Sequence, residues 1–549
     1  MDDDPQHRVF GRRAFLGAVG AVALAGCQSV SQGEHISSVA QRSTTAASTT
    51  ASTVAGTTTA MTTTSPSAGP TATSRTASAG ADYRALAKGL TGTLVLPSDG
   101  AFRRARELFN PRFDDIHPQA VAQCASVDDV AACVAFARRA RVPLAVRSGG
   151  HCYEGWSVGP GLVIDTGPLK TVQLDSGTAV VGAGARLIDV YSALASHGVG
   201  ISGGSCPTVG IAGLTLGGGL GVVDRMWGLA CDNLTAVTVV TADGKAVRCS
   251  PSSNADLFWA CQGGAGGTFG VATSFTFRTR PIEPVATWGR SWPWSRAGDV
   301  VDAWLRWLPS APDELWGSVH LSSAPGSSTP KVSVVGTYFG GDVSALDRVL
   351  DGLVSAAGSA PSSQFANSHA FLDAKLVDAG CGDADFAACH LEPAGTVTHQ
   401  AYSASSDWID KPMPPAGTAT LLTAIQNRHD SKGAPDVAVQ LDASGGAINR
   451  VDPASTAFVH RRSICSVQYI ANWYDDTPAA AVDAAALWPH QTRHAMQPYV
   501  TGSAYQNYVD DQIADWSQAY FGANYRRLQQ VKATYDPDNL FHHPQSVTA

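Results

Sequence analysis

A histidine stands between two glycines and a cysteine in the stretch Arg147, Ser148, Gly149, Gly150, His151, Cys152, Tyr153. Glycine removes the side chains that keep a bulky ligand away from a backbone. Histidine in such a loop is a nucleophile, an acid/base group or a metal ligand. A second stretch, "GGSCPTVGIAGLTLGGGLG", holds Cys206 and crowds Gly203, Gly204, Gly210, Gly213, Gly217, Gly218, Gly219 and Gly221 into nineteen positions. A third, "LFWACQGGAGGTFGVATSF", again joins glycines to a strand. That many glycines weaken an ordinary core, because each loses more conformational freedom on folding. Around a flat, polyphosphorylated cofactor they make sense, since bare N–H groups cradle phosphate. None of the three is a G-x-x-x-x-G-K-[ST] loop, and none sits in a tight strand, G-x-G-x-x-G, helix unit.

Elements must deliver these loops. "SVDDVAACVAFARRARVPLAVRSGGH" reads as a helix and then a strand. Ser126 caps it with Asp129 three residues on, and Val130, Cys133, Val134 and Ala137 repeat at helical spacing. Leu144, Ala145 and Val146 form a short strand that runs into the His151 loop. "GLVIDTG", "TAVVGAGA" and "LTAVTVVTADG" are further strands, and "ARLIDVYSALASHG" is a helix ended by Gly198. "KVSVVGTYFGG" and "SICSVQYIANWYD" read as strands, and "VSALDRVLDGLVSAA" as an amphipathic helix. The tail "DWSQAYFGANYRRLQQVKATYDPDNLF" reads as one helix closed by Asp536 and Pro537. The class is α+β. A cofactor domain spans 83–284, a second domain with an antiparallel sheet covered by helices spans 285–500, and 501–549 packs back on the first.

The chain has 549 residues, 44% of them hydrophobic, with only 15% charged and a net charge of −8. That supports a large core and excludes the basic footprint of a nucleic-acid binder. A polybasic membrane patch is absent too. Residues 1–27 resemble a twin-arginine export signal, with Arg12 and Arg13, followed by a bacterial lipobox ending at Cys27. The plainer alternative is an ordinary secretory signal with a chance arginine pair. Residues 28–82 are Ser, Thr, Ala and Gly and read as a flexible linker. Export makes disulfides permissible. Cys381 with Cys389 is the preferred pair and Cys124 with Cys133 is possible. No C-x-x-C pattern suggests zinc or an iron–sulfur cluster, so no metal is expected.

The three glycine motifs, in order, with the ending "YQNYVDDQ…YDPDNLFHHPQS", resemble the FAD-linked oxidases of the vanillyl-alcohol oxidase superfamily, and specifically the berberine bridge enzyme-like branch, from about 110 to 549. The resemblance implies FAD as cofactor. His151 stands where the branch attaches the flavin's 8-methyl carbon, and Cys206 where it attaches the flavin's C6. The alternatives are a structural loop histidine, and a buried thiol or disulfide partner at Cys206. Cys152 matches no role and reads as buried and inert, or as a disulfide partner. Arg147, Ser148, Gly149, Gly150, Ser157, Gly210 and Gly213 are implied on the pyrophosphate side. Asp232, Asn233, Gly270 and Val271 are implied beside the adenosine half.

The tyrosines of the Y-x-N-Y motif, Tyr505 and Tyr508, are the implied catalytic pair, with Tyr508 as base. A free tyrosine titrates near ~10, so a cation or hydrogen-bond donor has to stabilise its phenolate. Tyr153 is an implied pocket wall and Gln440 a hydroxyl partner; a solvent-facing strand glutamine is the alternative. Trp473 and Tyr474 are candidates for stacking on sugar rings, with core packing the commoner fate. Val209 fills the position that separates oxidases from dehydrogenases, and its small side chain favours access of dioxygen. Leu214 replaces a histidine common in plant members. The expectation is an exported, lipid-anchored, monomeric oxidase that takes hydride from a hydroxylated small molecule and makes hydrogen peroxide. The rivals are a dehydrogenase with another acceptor, an oxidative-cyclisation enzyme, and a ligand-binding surface lipoprotein.

Overall fold

Ser126 and Asp129 cap the helix Val127–Ala140 reciprocally, side chain to backbone in both directions, a motif that contributes about 1 kcal/mol. In this computed structural model, residues 81–382, 386–431 and 435–549 are described. The expected signal, Cys27 and all but the end of the linker lie outside them. Asp129 does more than cap. Its carboxylate also accepts from the N–H groups of Thr91, Gly92 and Ala125 at 2.8–2.9 Å. Burial pushes its pKa up, but these backbone donors outweigh that and hold it below the usual range.

The helix feeds a four-stranded sheet of β1 (Thr93–Val95), β2 (Ala120–Gln123), β3 (Leu144–Arg147) and β4 (Leu162–Asp165), in the order β1-β2-β4-β3. The β2–β4 and β3–β4 pairs are parallel, as expected where a helix makes the crossover. Strands β5 (Val172–Asp175), β6 (Thr178–Gly182), β8 (Leu234–Val240), β9 (Ala246–Cys249) and β10 (Val271–Arg278) form a second sheet, antiparallel, in the order β5-β6-β10-β8-β9. A small ribbon joins β7 (Val199–Gly200) to β11 (Arg280–Pro281). The helix Leu187–Ala195 covers this region, and Gly198 follows it at φ +72°.

The third sheet has seven strands, all antiparallel: β12 (Val285–Trp292), β13 (Leu315–Ser323), β14 (Lys331–Phe339), β15 (Ser363–His369), β16 (Ala401–Ile409), β17 (Asp436–Ala443) and β18 (Cys465–Trp473), in the order β15-β12-β14-β13-β17-β18-β16. The helices Ala297–Trp307, Val343–Ala357, Pro415–Asp430 and Ala479–Met496 bury Val300, Trp304, Leu346, Leu350, Leu421 and Trp488 in the core they share with it. Large apolar side chains so buried contribute about 1.5–3 kcal/mol each. Polar residues of β17 and β18, Gln440 and Ser466 among them, line a cavity. The architecture is thus the expected α+β one.

Three details differ from the sequence reading or decide between its alternatives. The C-terminal helix is broken into Trp516–Phe521 and Tyr525–Tyr535, because Gly522 takes φ +48° and ψ −130°, outside helical space. Cys124 and Cys133 are buried free thiols with sulfurs 4.0 Å apart rather than a disulfide. Cys381 and Cys389 are bonded, as expected.

Candidate active site

Strand β3 ends at Arg147, whose buried guanidinium donates to Asp165 at 2.9 Å and to the Ala105 carbonyl at 2.5 Å. This anchors the base of the histidine loop. Ser148 donates to the Ala183 carbonyl at 2.6 Å. Gly149 then packs on Gly210 of the second glycine stretch. A Cβ on Gly149 would lie 2.2 Å from the Gly210 nitrogen, and one on Gly210 would lie 2.4 Å from the Gly149 nitrogen. Only two glycines permit this approach, which sets the two loops back to back.

His151 is consequently held against the second loop. Its Nε2 lies 3.0 Å from Thr208 Oγ1, and Phe109 stacks on the ring at 4.0 Å with the planes 17° apart. Burial, then the positive charges of Arg186 and His399, push its pKa down to about 3. The imidazole is therefore neutral and retains a lone pair, the state a nucleophile requires. Cys206 lines the same cavity. Its sulfur is disulfide-bonded in this structure, a bond that must open before it can bind anything else. Cys152 is a half-buried thiol on the cavity wall, pushed up to about 11 by burial and hence unreactive.

Ser148, Gly149, Gly150, Ser157, Val209, Gly210, Gly213 and Gly270 line this cavity together. A Cβ at Gly213 would meet nothing within 4 Å, and the buried Ser157 Oγ has no protein partner. At one end His543 stacks on Trp156 at 4.6 Å. Bare backbone, an orphaned hydroxyl, an aromatic shelf and a neutral nucleophilic imidazole fit a flavin dinucleotide.

Four residues implied at the cofactor do not line the cavity. Arg147 faces the Asp165 side of its loop and borders a neighbouring cavity. Asp232 takes both nitrogens of buried Arg461 at 2.7 and 2.8 Å. Asn233 donates to the carbonyls of Trp227 and Leu229. Val271 is fully buried in the core beside Val240. Each side chain is committed to holding the loops that face the cavity.

The other end of the cavity is polar and aromatic. Tyr153 stacks on Tyr508, with centroids 5.0 Å apart and an 11° angle, and meets Tyr402 edge-on. Gln468 donates to the Tyr153 hydroxyl at 2.6 Å. Gln440 pairs with Gln468 across β17 and β18, and Asp442 with Ser466. Burial pushes Asp442 up to about 6, against a hydrogen bond from Ser318. No lysine or arginine lines the cavity among the described residues.

The tyrosines separate in role. Tyr505 accepts from the N–H groups of Gly219 and Leu220 and from Asn507, at 2.9–3.2 Å. These donors brace the glycine loop and act to lower the phenol's pKa, while burial raises it, leaving it at about 12. Tyr508 also lacks the expected cation. Burial first, then Tyr153 and Asp442, push its pKa well above the ordinary value. Trp473 is buried, and neither it nor Tyr474 lines the cavity. Sequence reasoning missed Asp442, Gln468 and Tyr402. Asp442 was reachable, since it lies two residues from Gln440 on one strand and therefore on the same face.

Two family models match the chain: the FAD binding domain over residues 118–250 and "Berberine and berberine like" over 504–548. An uncharacterized FAD-linked oxidoreductase of Bacillus subtilis, YgaK, is 32% identical over 467 residues, covering 83% of this chain and 97% of that protein. The chitooligosaccharide oxidase of Gibberella zeae is 30% identical over 457 residues, covering 78% and 87%. The structure of Physcomitrella patens BBE-like 1 superposes with a TM-score of 0.76 at 30% identity, covering 85% of this chain and 98% of that one. With these matches laid over the glycine-lined cavity and its neutral histidine, the chain belongs to the berberine bridge enzyme-like family of FAD-linked oxidoreductases.

Proposed function

We propose that this enzyme oxidises a hydroxyl group of a small neutral molecule, of the oligosaccharide class, using FAD attached through both His151 and Cys206. The observation that carries this reading is the shared cavity: His151, Cys206, Tyr153, Tyr508, Gln440 and Asp442 all line it. Similarity to a chitooligosaccharide oxidase supports the substrate class. So do the aromatic and amide groups of the cavity, which suit sugar rings and hydroxyls. His151 would hold the flavin through an imidazole nitrogen, and Cys206 through its sulfur once a thiol has reduced its disulfide.

The chemistry FAD would supply when bound is hydride acceptance from the substrate carbon and transfer of the two electrons to dioxygen. The chain's part is to hold the substrate and remove its hydroxyl proton. Tyr508 takes that proton while its own passes to Asp442, whose charge bears directly on it and which is ionised above about pH 6. Tyr153 orients Tyr508 by stacking, and Gln468 fixes Tyr153. Val209 leaves room for dioxygen. We further propose export as a monomer, by the twin-arginine route, with a lipid on Cys27. The folded-protein route agrees with a cofactor that must be bound before export.

A panel of neutral oligosaccharides, aromatic alcohols and N-methylated amines, assayed for peroxide and for flavin bleaching without oxygen, tests the reading. Bleaching by the oligosaccharides with peroxide on aeration supports it. Bleaching without peroxide supports the dehydrogenase instead, and bleaching by amines alone the cyclising oxidase.

A further inference from the structure

The contact between His151 Nε2 and Thr208 Oγ1 joins the two loops at the point of attachment. Thr208 is 3% exposed and belongs to the same turn, Cys206-Pro207-Thr208-Val209, as the second attachment residue. That turn cannot slide. The Leu187 and Ile188 N–H groups donate to the Val209 and Pro207 carbonyls at 3.0 and 3.1 Å. Arg186 donates to the Thr208 carbonyl at 3.3 Å. On the histidine side, the Phe109 stack blocks ring rotation and the Gly149–Gly210 contact fixes the backbone.

A neutral imidazole holds its hydrogen on one nitrogen and its lone pair on the other, and the partner of the protonated nitrogen selects which. Resting on the His151 attachment above, we propose that Thr208 is a positioning residue: its hydroxyl oxygen accepts the Nε2 hydrogen, fixing the lone pair on Nδ1 and making Nδ1 the nitrogen that bonds the flavin. Thr208 touches no reacting atom. It acts by choosing the tautomer and the ring angle, as a partner on the far nitrogen does for histidine ligands of metals. Without the hydroxyl, the acceptor left beside the ring is the Thr208 backbone carbonyl, and the other tautomer, with the lone pair turned away, competes.

The test removes the second attachment, so that His151 alone holds the flavin. Cys206→Ala, Cys206→Ala with Thr208→Val, and Cys206→Ala with Thr208→Ser are prepared flavin-free and mixed with FAD. Chain-bound flavin is followed by intact mass after denaturation. The expected result is attachment at least about tenfold slower with valine, which removes the side-chain acceptor, and restored by serine. Nitrogen resonances of isotope-labelled His151 in the flavin-free proteins give a second readout. They are expected to show hydrogen on Nε2 with threonine or serine, and mixed tautomers with valine. Thr208→Ala replaces the valine variant if that protein does not fold. Equal attachment rates, or an unchanged tautomer without the hydroxyl, would overturn the proposal. If Cys206→Ala itself carries no bound flavin while the tautomer still shifts, the attachment reading fails and Thr208's hold on the ring stands.

Discussion

Tyr153 and Tyr508 lie face to face, 5.0 Å between centroids and 11° from parallel, although 355 positions separate them in the chain. Tyr153 follows His151 by two residues, and Tyr508 comes from the C-terminal segment. The stack therefore ties the histidine loop to the segment that closes the cavity. The proposed proton acceptor, Tyr508, is thus positioned by the same loop that bears His151.

Replacing Tyr508 by Phe keeps the stack and removes the hydroxyl. The expected loss in the rate of flavin reduction is about 10²–10⁴-fold, the usual contribution of a positioned proton acceptor. Chain-bound flavin should be unchanged. Stopped-flow reduction without oxygen measures the first, and absorbance after denaturation the second. A rate within a few-fold of the parent would remove Tyr508 from the chemistry.

Asp442 sets a pH limb. Its carboxyl is raised to about 6 by burial, so it is protonated below that pH and cannot receive a proton there. Reduction should rise as pH passes upward through about 6 and fall roughly tenfold per unit below it. Asp442→Asn should lower the rate and abolish this limb while leaving flavin binding intact. A limb that persists in the variant assigns it to another group.

The capped helix, the strand into the His151 loop and the third sheet's strands Lys331–Phe339 and Cys465–Trp473 were legible because each has a local cause: Ser126 with Asp129, a run of apolar residues before glycine, the strand-like runs "KVSVVGTYF" and "SICSVQYIANWYD". The break at Gly522 was not, because a single glycine in a helical pattern carries no sign of its φ. The fates of Asp232 and Asn233 were hidden for a different reason. Arg461 reaches Asp232 from 229 residues away, and nothing near either residue announces that partner. Gln468 shared this fate, since its role exists only through Tyr153.

Enlarging Val209 to Leu narrows the cavity wall beside the second loop. Flavin reduction by substrate should change little, while reoxidation by dioxygen should slow several-fold. Double-mixing stopped flow separates the two half-reactions. Slowed reduction with unchanged reoxidation would show that the side chain meets substrate rather than oxygen.

Asp232→Ala leaves the Arg461 guanidinium, whose side chain is 0% exposed, without its carboxylate. Breaking a buried pair costs about 3–5 kcal/mol. Thermal unfolding should move down accordingly, and the folded fraction should keep its affinity for FAD. A variant of parental stability with weakened FAD binding would return Asp232 to the cofactor.

Retention of flavin on the denatured chain is the most direct measure of the central claim. Acid-precipitated protein is expected to be yellow and heavier by one FAD. His151→Ala and Cys206→Ala should each keep the colour with a shifted spectrum, and the double variant should lose it. A colourless pellet from the parent protein, reduced with a thiol before loading and with all the FAD left in the supernatant, would contradict attachment through either side chain.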